Sequence, residues 1–240
     1  MEKIGLLLIA TNKYIDFVQP LITSADKYFM AECDVTYYVF TDHKNINLQT
    51  SRNVVILDVE HKPFPHSTLM RYGFFHQYNS ILSKEDYLYY SDVDMLFVDS
   101  IGDEILGSRV ATRHPGYYDK YGIPAYYAQA CGVWNPIEEN PNTLACIKPD
   151  EKVTYFAGGF NGGTSLEFLK MSEVLFNNIT SDLSRGVIAK WHDESHFNRY
   201  MLDNNPSVVL SPSYCYGENM NIPYKKKLIA LDKNHEYYRS

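Results

Sequence analysis

Asp86-Tyr-Leu-Tyr-Tyr-Ser-Asp92-Val-Asp94-Met-Leu-Phe-Val-Asp99 decides how this chain is to be read. Leu88, Tyr89 and Tyr90 follow the turn-like Ser83-Lys84-Glu85 and form an apolar, aromatic run of strand character. The run stops at Asp92-Val93-Asp94 and turns apolar again at Met95. A carboxylate among such neighbours is costly unless it is paired or binds a cation. Two of them one residue apart, at the C-terminal end of a strand, sit at the edge where open α/β sheets bind ligands. Their oxygen donors suit Mg²⁺ or Mn²⁺ rather than zinc. Such ions are commonly held by one or two carboxylates plus substrate phosphates. An Asp-x-Asp pair alone does not exclude a plain solvated loop.

Upstream the same texture repeats. Ile4 to Thr11 reads as a buried first strand, apolar without alternation as parallel strands are. A helix with Phe17, Leu21, Ala25 and Phe29 on one face follows, Pro20 falling in its early turn or delaying its start. Val35 to Thr41 and Val54 to Val59 are the second and third strands. Ser67 or Thr68 is expected to cap a helix running to about Leu82, which would place Arg71 mid-helix, and Asp86 to Tyr90 is the fourth strand. Alternation of this kind argues for an α/β fold with a mostly parallel sheet flanked by helices. The chain has no Gly-x-Gly-x-x-Gly and no Walker loop, so a phosphate-bearing ligand would need the metal instead.

The 240 residues suit one large α/β domain, and the net charge of −7 argues against nucleic acid as a partner. The 21 tyrosines agree with a carbohydrate site and equally with an aromatic core. Cys33, Cys131, Cys146 and Cys215 lack metal-ligand spacing and read as reduced, inert thiols. The apolar stretch Ile4 to Ala10 is too short to span a membrane, so a soluble, cytoplasmic protein is expected. Asn178-Ile-Thr180 matches a glycosylation acceptor, a match without meaning in that compartment.

The second half differs. Val110 to Tyr118 reads as a strand breaking into a turn at His114-Pro-Gly-Tyr-Tyr118, and residues 118–152 have no clear period. In Tyr155-Phe-Ala-Gly-Gly-Phe-Asn-Gly-Gly163 the glycines would let a backbone approach a ligand closely. Thr164 or Ser165 then caps an amphipathic helix carrying Leu166, Leu169, Val174 and Leu175. Trp191-His-Asp-Glu-Ser-His196 opens a helix toward Leu202, Ser207 to Ser211 is a late strand, and the tail from Lys225 is basic and then aromatic.

Several side chains have chemistry to offer. His192 and His196, one helical turn apart, could hold zinc, but the protease pattern needs a Glu directly after the first His, where Asp193 stands. Glu194 fits better as a carboxylate beside a sugar carbon, as nucleophile or as stabiliser of positive charge; equally, these acids only complement a helix dipole. Arg71 could clamp a phosphate or a sugar, or merely pair with Asp86 or another acid. Lys233 and Arg239 could fold over a diphosphate, although terminal residues commonly fray.

Together these stretches resemble glycosyltransferase family 6, the family of the histo-blood group A and B transferases and the α-1,3-galactosyltransferases. The resemblance spans nearly the whole chain: Ile4-Gly-Leu through Lys13-Tyr14, Tyr37-Tyr-Val-Phe-Thr-Asp42, Asp92-Val-Asp94-Met, His114-Pro-Gly-Tyr-Tyr118, Gly158-Gly-Phe-Asn-Gly-Gly163, Trp191-His-Asp-Glu-Ser-His196 and Leu210-Ser-Pro-Ser-Tyr214. It implies a single GT-A-type catalytic domain over residues 1–240, with a nucleotide-binding half (1–98) and an acceptor-binding half (99–240) closed by the C-terminal tail. It also implies transfer of galactose or N-acetylgalactosamine from a UDP-sugar, with retention, onto the 3-hydroxyl of a galactoside or fucosylated galactoside. By that resemblance Asp92 and Asp94 hold Mn²⁺, or alternatively Mg²⁺, against the UDP diphosphate, and Val93 between them belongs to the donor site. Ile9, Ala10, Thr11 and Tyr14 cradle uridine, and Arg71 and Asp193 reach the donor sugar. Ala157, Gly158 and Gly159 set donor choice. His114, Trp191 and Glu194 meet the acceptor, Glu194 being also the candidate nucleophile. Lys233 and Arg239 close over the diphosphate. The small Gly159 leaves room for an N-acetyl group and tilts the reading toward UDP-N-acetylgalactosamine.

Departures exist. No anchor or stem like that of the animal enzymes is seen, which points to a microbial or viral member. Many bacterial relatives carry Asn-x-Asn and no metal; here both Asp residues remain, so metal dependence is expected. Val133-Trp-Asn-Pro136 and an insertion replace a Tyr-Glu-Arg-Arg-like stretch, and Gly217, with Glu218 adjacent, replaces an acidic acceptor contact. The rival readings are a galactose-specific transferase, a noncatalytic glycan-binding protein on the same fold, and a glycoside hydrolase.

Overall fold

The β-branched and aromatic runs become strands, and their continuous apolarity has a simple cause. The computed structural model describes residues 1–117 and 135–239, the side chain of Arg239 excepted. In it β1 (Lys3–Ile9), β2 (Asp34–Thr41), β3 (Asn53–Asp58) and β4 (Tyr87–Ser91) lie in one sheet, β1 parallel to both β2 and β4 and β3 parallel to β2. Alternate residues point to opposite faces. Leu6, Leu8, Tyr37 and Tyr89 pack on one side, and Leu7, Tyr38, Leu88 and Tyr90 on the other. Both faces are covered, so no polar alternation survives in the sequence.

The link from β4 to β5 (Met95–Phe97) is Asp92-Val93-Asp94. β6 (Arg109–Arg113), β7 (Phe156–Thr164) and β8 (Val208–Leu210) complete a seven-stranded sheet of order β3-β2-β1-β4-β7-β6-β8. β7 runs antiparallel to β4 and β6, and β8 is parallel to β6. A small second sheet joins β5, β10 (Leu228–Ala230) and β9 (Tyr216–Gly217), in the order β5-β10-β9. This is a mixed α/β, GT-A-like architecture with a mostly parallel central sheet.

A 3₁₀ turn (Asn12–Phe17) runs into α1 (Val18–Tyr28), which buries Val18, Leu21, Ile22 and Ala25; Pro20 sits in its first turn, where no helical N–H partner is lost. The single helix expected from Ser67 or Thr68 to Leu82 is instead three short pieces, α2 (His66–Leu69), α3 (Arg71–Gln77) and α4 (Asn79–Leu82), and Pro65 rather than a hydroxyl residue stands at the first cap. The aromatic, β-favouring Tyr72-Gly-Phe-Phe75 is a weak helix former, and its form is dictated by packing. Arg71 therefore opens a helix instead of sitting mid-helix. α5 (Ser165–Ser184) follows β7. Its buried stripe is Phe168, Leu169, Met171, Leu175 and Ile179, whereas Leu166 and Val174, expected on that face, are 77% and 37% exposed. The spacing set by Phe168 leaves them on the far side. α6 (His192–Asp203) and α7 (His235–Arg239) complete the helices used below.

The glycine-rich stretch is a central strand, not a loop. A Cβ on Gly162 would stand 2.3 Å from the Tyr89 ring, and one on Gly163, whose φ is +149°, 2.2 Å from the Ser108 carbonyl. These two glycines serve strand packing. Gly158 and Gly159 face elsewhere. Cys33, Cys146 and Cys215 are free thiols. Tyr118, Cys131 and the stretch up to Trp134 lie outside the described residues. Among the described residues no helix is long and apolar enough to cross a membrane.

Candidate functional site

A cavity of about 200 Å³ opens at the C-terminal ends of β1 and β4. Ile9, Thr11 and Tyr14 line it from the β1 side, and Asp92, Val93 and Asp94 from the β4–β5 link. Ala10 is fully buried and does not line it. Lys233 comes in from the tail, its ammonium paired with Asp94 and 5.4 Å from the Tyr14 ring centroid. The Tyr238 ring packs at a tilt against Phe17 (4.8 Å, 44°) and Tyr14 (5.5 Å, 53°), and Lys13 Nζ donates to the Tyr237 carbonyl (2.9 Å). The tail thus rests on the 3₁₀ turn that forms one cavity wall; the side chain of Arg239, expected beside it, lies outside the described residues.

Arg71 joins the cavity to the acids of α6. Its Nη1 donates to the Gly158 carbonyl (2.9 Å) and Nη2 to Asp92 Oδ1 (3.2 Å). Nε lies 3.1 Å from Asp193 Oδ2, an ion pair without hydrogen-bond geometry. The guanidinium also sits 4.2 Å from the Tyr90 ring centroid, and Tyr90 Oη donates to Asp92 Oδ1 (2.5 Å). Asp86, the partner weighed from sequence, instead accepts from the Lys3 amide. Burial would strip the charge from Arg71, but the nearby carboxylates of Asp193 and Asp92 outweigh it and hold the group cationic. Burial pushes the Asp193 carboxyl up to about 6 even with Arg71 beside it.

Glu194 is the third residue of α6, directly after Asp193. Its Oε1 accepts from Tyr155 Oη (2.7 Å) and its Oε2 from the Gly158 amide (2.7 Å). Burial raises its carboxyl to about 7, against the pull of those two bonds. The Gly158 amide is available because the β6–β7 register breaks: Ala111 pairs with Asn161 and Thr112 with Ala157, so residues 158–160 have no β6 partner. Such irregularities cluster beside active sites because they free backbone groups. Here the freed Gly158 amide and carbonyl are used by Glu194 and by Arg71, while the Gly159 carbonyl, on the β4 side, accepts the Asp92 amide (2.8 Å) and extends the β4–β7 ladder. A Cβ at Gly159 would stand 3.1 Å from Asp92 Oδ2 and 3.2 Å from Cys215 Sγ, while Ala157 is buried.

His114, at the end of β6, accepts the Gly116 amide at Nδ1 (3.0 Å) and packs against Tyr117 (4.8 Å) and Tyr155 (5.6 Å). Burial lowers its pKa to about 3, so the ring is neutral. Trp191 precedes α6; its amide donates to Ser195 Oγ (3.0 Å) and its buried indole N–H has no partner among the described residues. Glu218 accepts the Asp232 amide (2.9 Å) and so is engaged within the chain. The zinc reading fails: His192 packs edge-on against Phe64 (5.0 Å), while buried His196 lies 3.4 Å from Asp182. The two imidazoles serve different neighbours.

The carboxylates fit a divalent cation. Asp92, Asp94, Asp193 and Glu194 are opposed by Arg71 and Lys233, an excess of negative charge before any phosphate arrives. Asp92 Oδ2 and Asp94 Oδ1 carry no hydrogen bond among the described residues. Among those residues no group of three or more His, Cys, Asp or Glu side chains could hold an ion, so the ligand's own oxygens would have to complete the shell.

The site also uses residues that the sequence did not single out. His61, Phe64, Ser67, Thr68, Tyr90 and Tyr238 line the cavity, and Tyr155 reaches Glu194. Aromatic and hydroxyl residues before a short helix give no periodic signal. Only the place of Tyr155 at the head of the glycine run hinted at a role.

Comparison with known proteins decides the family. The description of Glycosyltransferase family 6 fits residues 2–240. The chain belongs to glycosyltransferase family 6. The rat histo-blood group ABO system transferase 1 is 33% identical over 99% of this chain and 68% of its own length. The human globoside alpha-1,3-N-acetylgalactosaminyltransferase 1 is 31% identical over 99% of this chain and 68% of its own. The O-antigen biosynthesis glycosyltransferase WbnI of Escherichia coli is 28% identical over 97% of this chain and 96% of its own. As a family 6 glycosyltransferase this chain is a hexosyltransferase that uses a nucleotide-sugar donor and a glycan acceptor. Glycoside hydrolysis is thereby displaced as a reading.

Proposed function

We propose that this enzyme moves N-acetylgalactosamine from UDP-N-acetylgalactosamine to the 3-hydroxyl of a galactoside, with retention and with Mn²⁺ or Mg²⁺ bound at Asp92 and Asp94. The observation that carries the reading is the bridge from cavity to carboxylate: Arg71 holds Asp92, Asp193 and the Gly158 carbonyl, and the Gly158 amide holds Glu194. A nucleotide seated along Ile9, Thr11 and Tyr14 would present its diphosphate to Asp92, Asp94 and Lys233, and its sugar toward Arg71 and Glu194. When bound, the cation would supply charge neutralisation for the departing diphosphate. Lys233 and Tyr238 cover the cavity and limit water. Arg71 orients the donor sugar. Glu194 offers its carboxylate to the anomeric carbon, as nucleophile or as counter-charge to an oxocarbenium-like centre. The glycan arrives on the side of His114 and Trp191.

For the sugar, Gly159 and its small neighbours support the N-acetyl donor, as does the likeness to a globoside alpha-1,3-N-acetylgalactosaminyltransferase. The test is UDP release from UDP-N-acetylgalactosamine and from UDP-galactose, with and without Mn²⁺, using 2′-fucosyllactose and lactose. Mn²⁺-dependent, acceptor-stimulated release favouring the N-acetylated donor is expected. Faster release from UDP-galactose would reverse the donor assignment, and activity untouched by EDTA would remove the metal from Asp92 and Asp94.

A further inference from the structure

Glu194 is gripped from both sides by one short stretch of chain. The Tyr155 phenol donates to Oε1 and the Gly158 amide to Oε2, each at 2.7 Å. The two donors lie at residues 155 and 158, at the head of β7, so together they fix the plane of the carboxylate. That stretch is itself tied to α6. Asn198, one helical turn beyond Glu194, accepts the Phe156 amide at Oδ1 (2.8 Å) and donates from Nδ2 to the Phe156 carbonyl (2.9 Å) and to the Glu194 carbonyl (2.9 Å). It pairs with Phe156 as a neighbouring strand would, so the donors and the carboxylate cannot drift apart independently. Tyr155 is 4% exposed. Its ring is held edge-on by Tyr117 (5.4 Å, 79°) and His114 (5.6 Å, 61°), and its carbonyl accepts the His114 amide (3.1 Å).

We infer that Tyr155 is the positioning residue for Glu194, setting the direction of its carboxylate toward the donor sugar and tying that direction to the His114 wall of the site. The inference rests on the reading of Glu194 given above. A carboxylate with one rigid backbone donor pivots about that bond; a second donor on the other oxygen removes the freedom. The phenol does this without an added charge, so Glu194 keeps its nucleophilic or counter-ion character. Nucleotide binding, which belongs to Asp92, Asp94 and the Ile9–Tyr14 wall, does not depend on it.

The experiment is a kinetic double-mutant cycle of Tyr155→Phe and Glu194→Gln, read as UDP release from UDP-N-acetylgalactosamine with 2′-fucosyllactose. Tyr155→Phe alone is expected to lower kcat by about ten- to a hundredfold, the scale of one hydrogen bond to a charged group, with the donor KM nearly unchanged. In the Glu194→Gln background the same change should cost almost nothing further. Equal losses in both backgrounds, or a loss confined to KM, overturn the proposal. Full activity of Glu194→Gln would instead overturn the role of Glu194. A second readout needs no turnover: the carboxylic C=O infrared band that vanishes in Glu194→Gln, recorded at about pH 5, well below the value near 7 of this group. Loss of the phenol should move that band to higher frequency in Tyr155→Phe, and an unmoved band counts against the contact. If the wild type releases no UDP with this pair, the substrate assignment fails and the infrared result alone decides the role of Tyr155.

Discussion

The two walls of the site are built by different means. On the β1–β4 side the strands are regular and parallel, and the chemistry is delivered by side chains at their ends: Thr11, Tyr14, Asp92 and Asp94. On the β7 side the strand is antiparallel and its register is broken, and the chemistry is delivered by backbone: the Gly158 amide and the Gly158 and Gly159 carbonyls. A side-chain wall can be rebuilt by changing residue types. A backbone wall can be disturbed only through the residues that lean on it or by adding a Cβ.

The largest expected effect comes from the group on which both walls converge. Glu194→Gln should lower kcat by roughly three orders of magnitude, about 4 kcal/mol of transition-state stabilisation, with little change in donor affinity; steady-state UDP release with titrated donor checks it, and equal losses in kcat and affinity would place Glu194 outside the chemistry. Next, Asp94→Asn tests the side-chain wall and should abolish either the stimulation by Mn²⁺ or the activity, read as UDP release against metal concentration. An unchanged metal response would shift the cation elsewhere. The pH profile tests the backbone wall. Glu194 must be ionised to act, and its carboxyl is raised to about 7, so kcat should fall about tenfold per unit as pH drops below that value. A flat profile from pH 5 to 8 (about the span that would expose the limb) would show that the carboxyl titrates lower than its burial demands. The smallest effect separates two adjacent glycines. A Cβ at Gly159 meets Asp92 Oδ2 at 3.1 Å, whereas one at Gly158 meets Glu194 Oε2 at 3.4 Å, an ordinary contact. Gly159→Ala should therefore reduce kcat/KM a few-fold, on the order of 1 kcal/mol, and more than Gly158→Ala, in parallel assays.

The same contrast explains what could be read from sequence. The place of Asp92 and Asp94 in the cavity wall is legible because an acidic pair that ends an apolar strand falls at the sheet edge where such folds bind ligands. The parallel strands were legible because burial on both faces leaves unbroken apolar runs. Glu194 could be proposed, but not its grip, because nothing in Tyr155-Phe-Ala-Gly announces that the register against β6 breaks just after Ala157. The glycine run reads as room for a ligand, yet Gly162 and Gly163 serve close packing against Tyr89 and Ser108. Sequence periodicity puts Arg71 mid-helix because it does not register that Met70 ends one short helix and begins the next. The tie between His114 and Glu194 through Tyr155 joins residues far apart in the chain, and no local pattern encodes it.

The small sheet carries a further consequence. Ala230 of β10 pairs with Met95 of β5, and the Leu231 amide donates to the Asp94 carbonyl (2.9 Å). Leu231 stands opposite Asp94, and Lys233, two residues on and on the same face, is brought diagonally to the acid by one antiparallel alignment, like teeth on two racks. Length changes between Gly217 and Leu228 would be absorbed before that alignment begins and should be tolerated. A single residue inserted between Ala230 and Lys233 would advance the rack by one tooth and turn the ammonium to the other face.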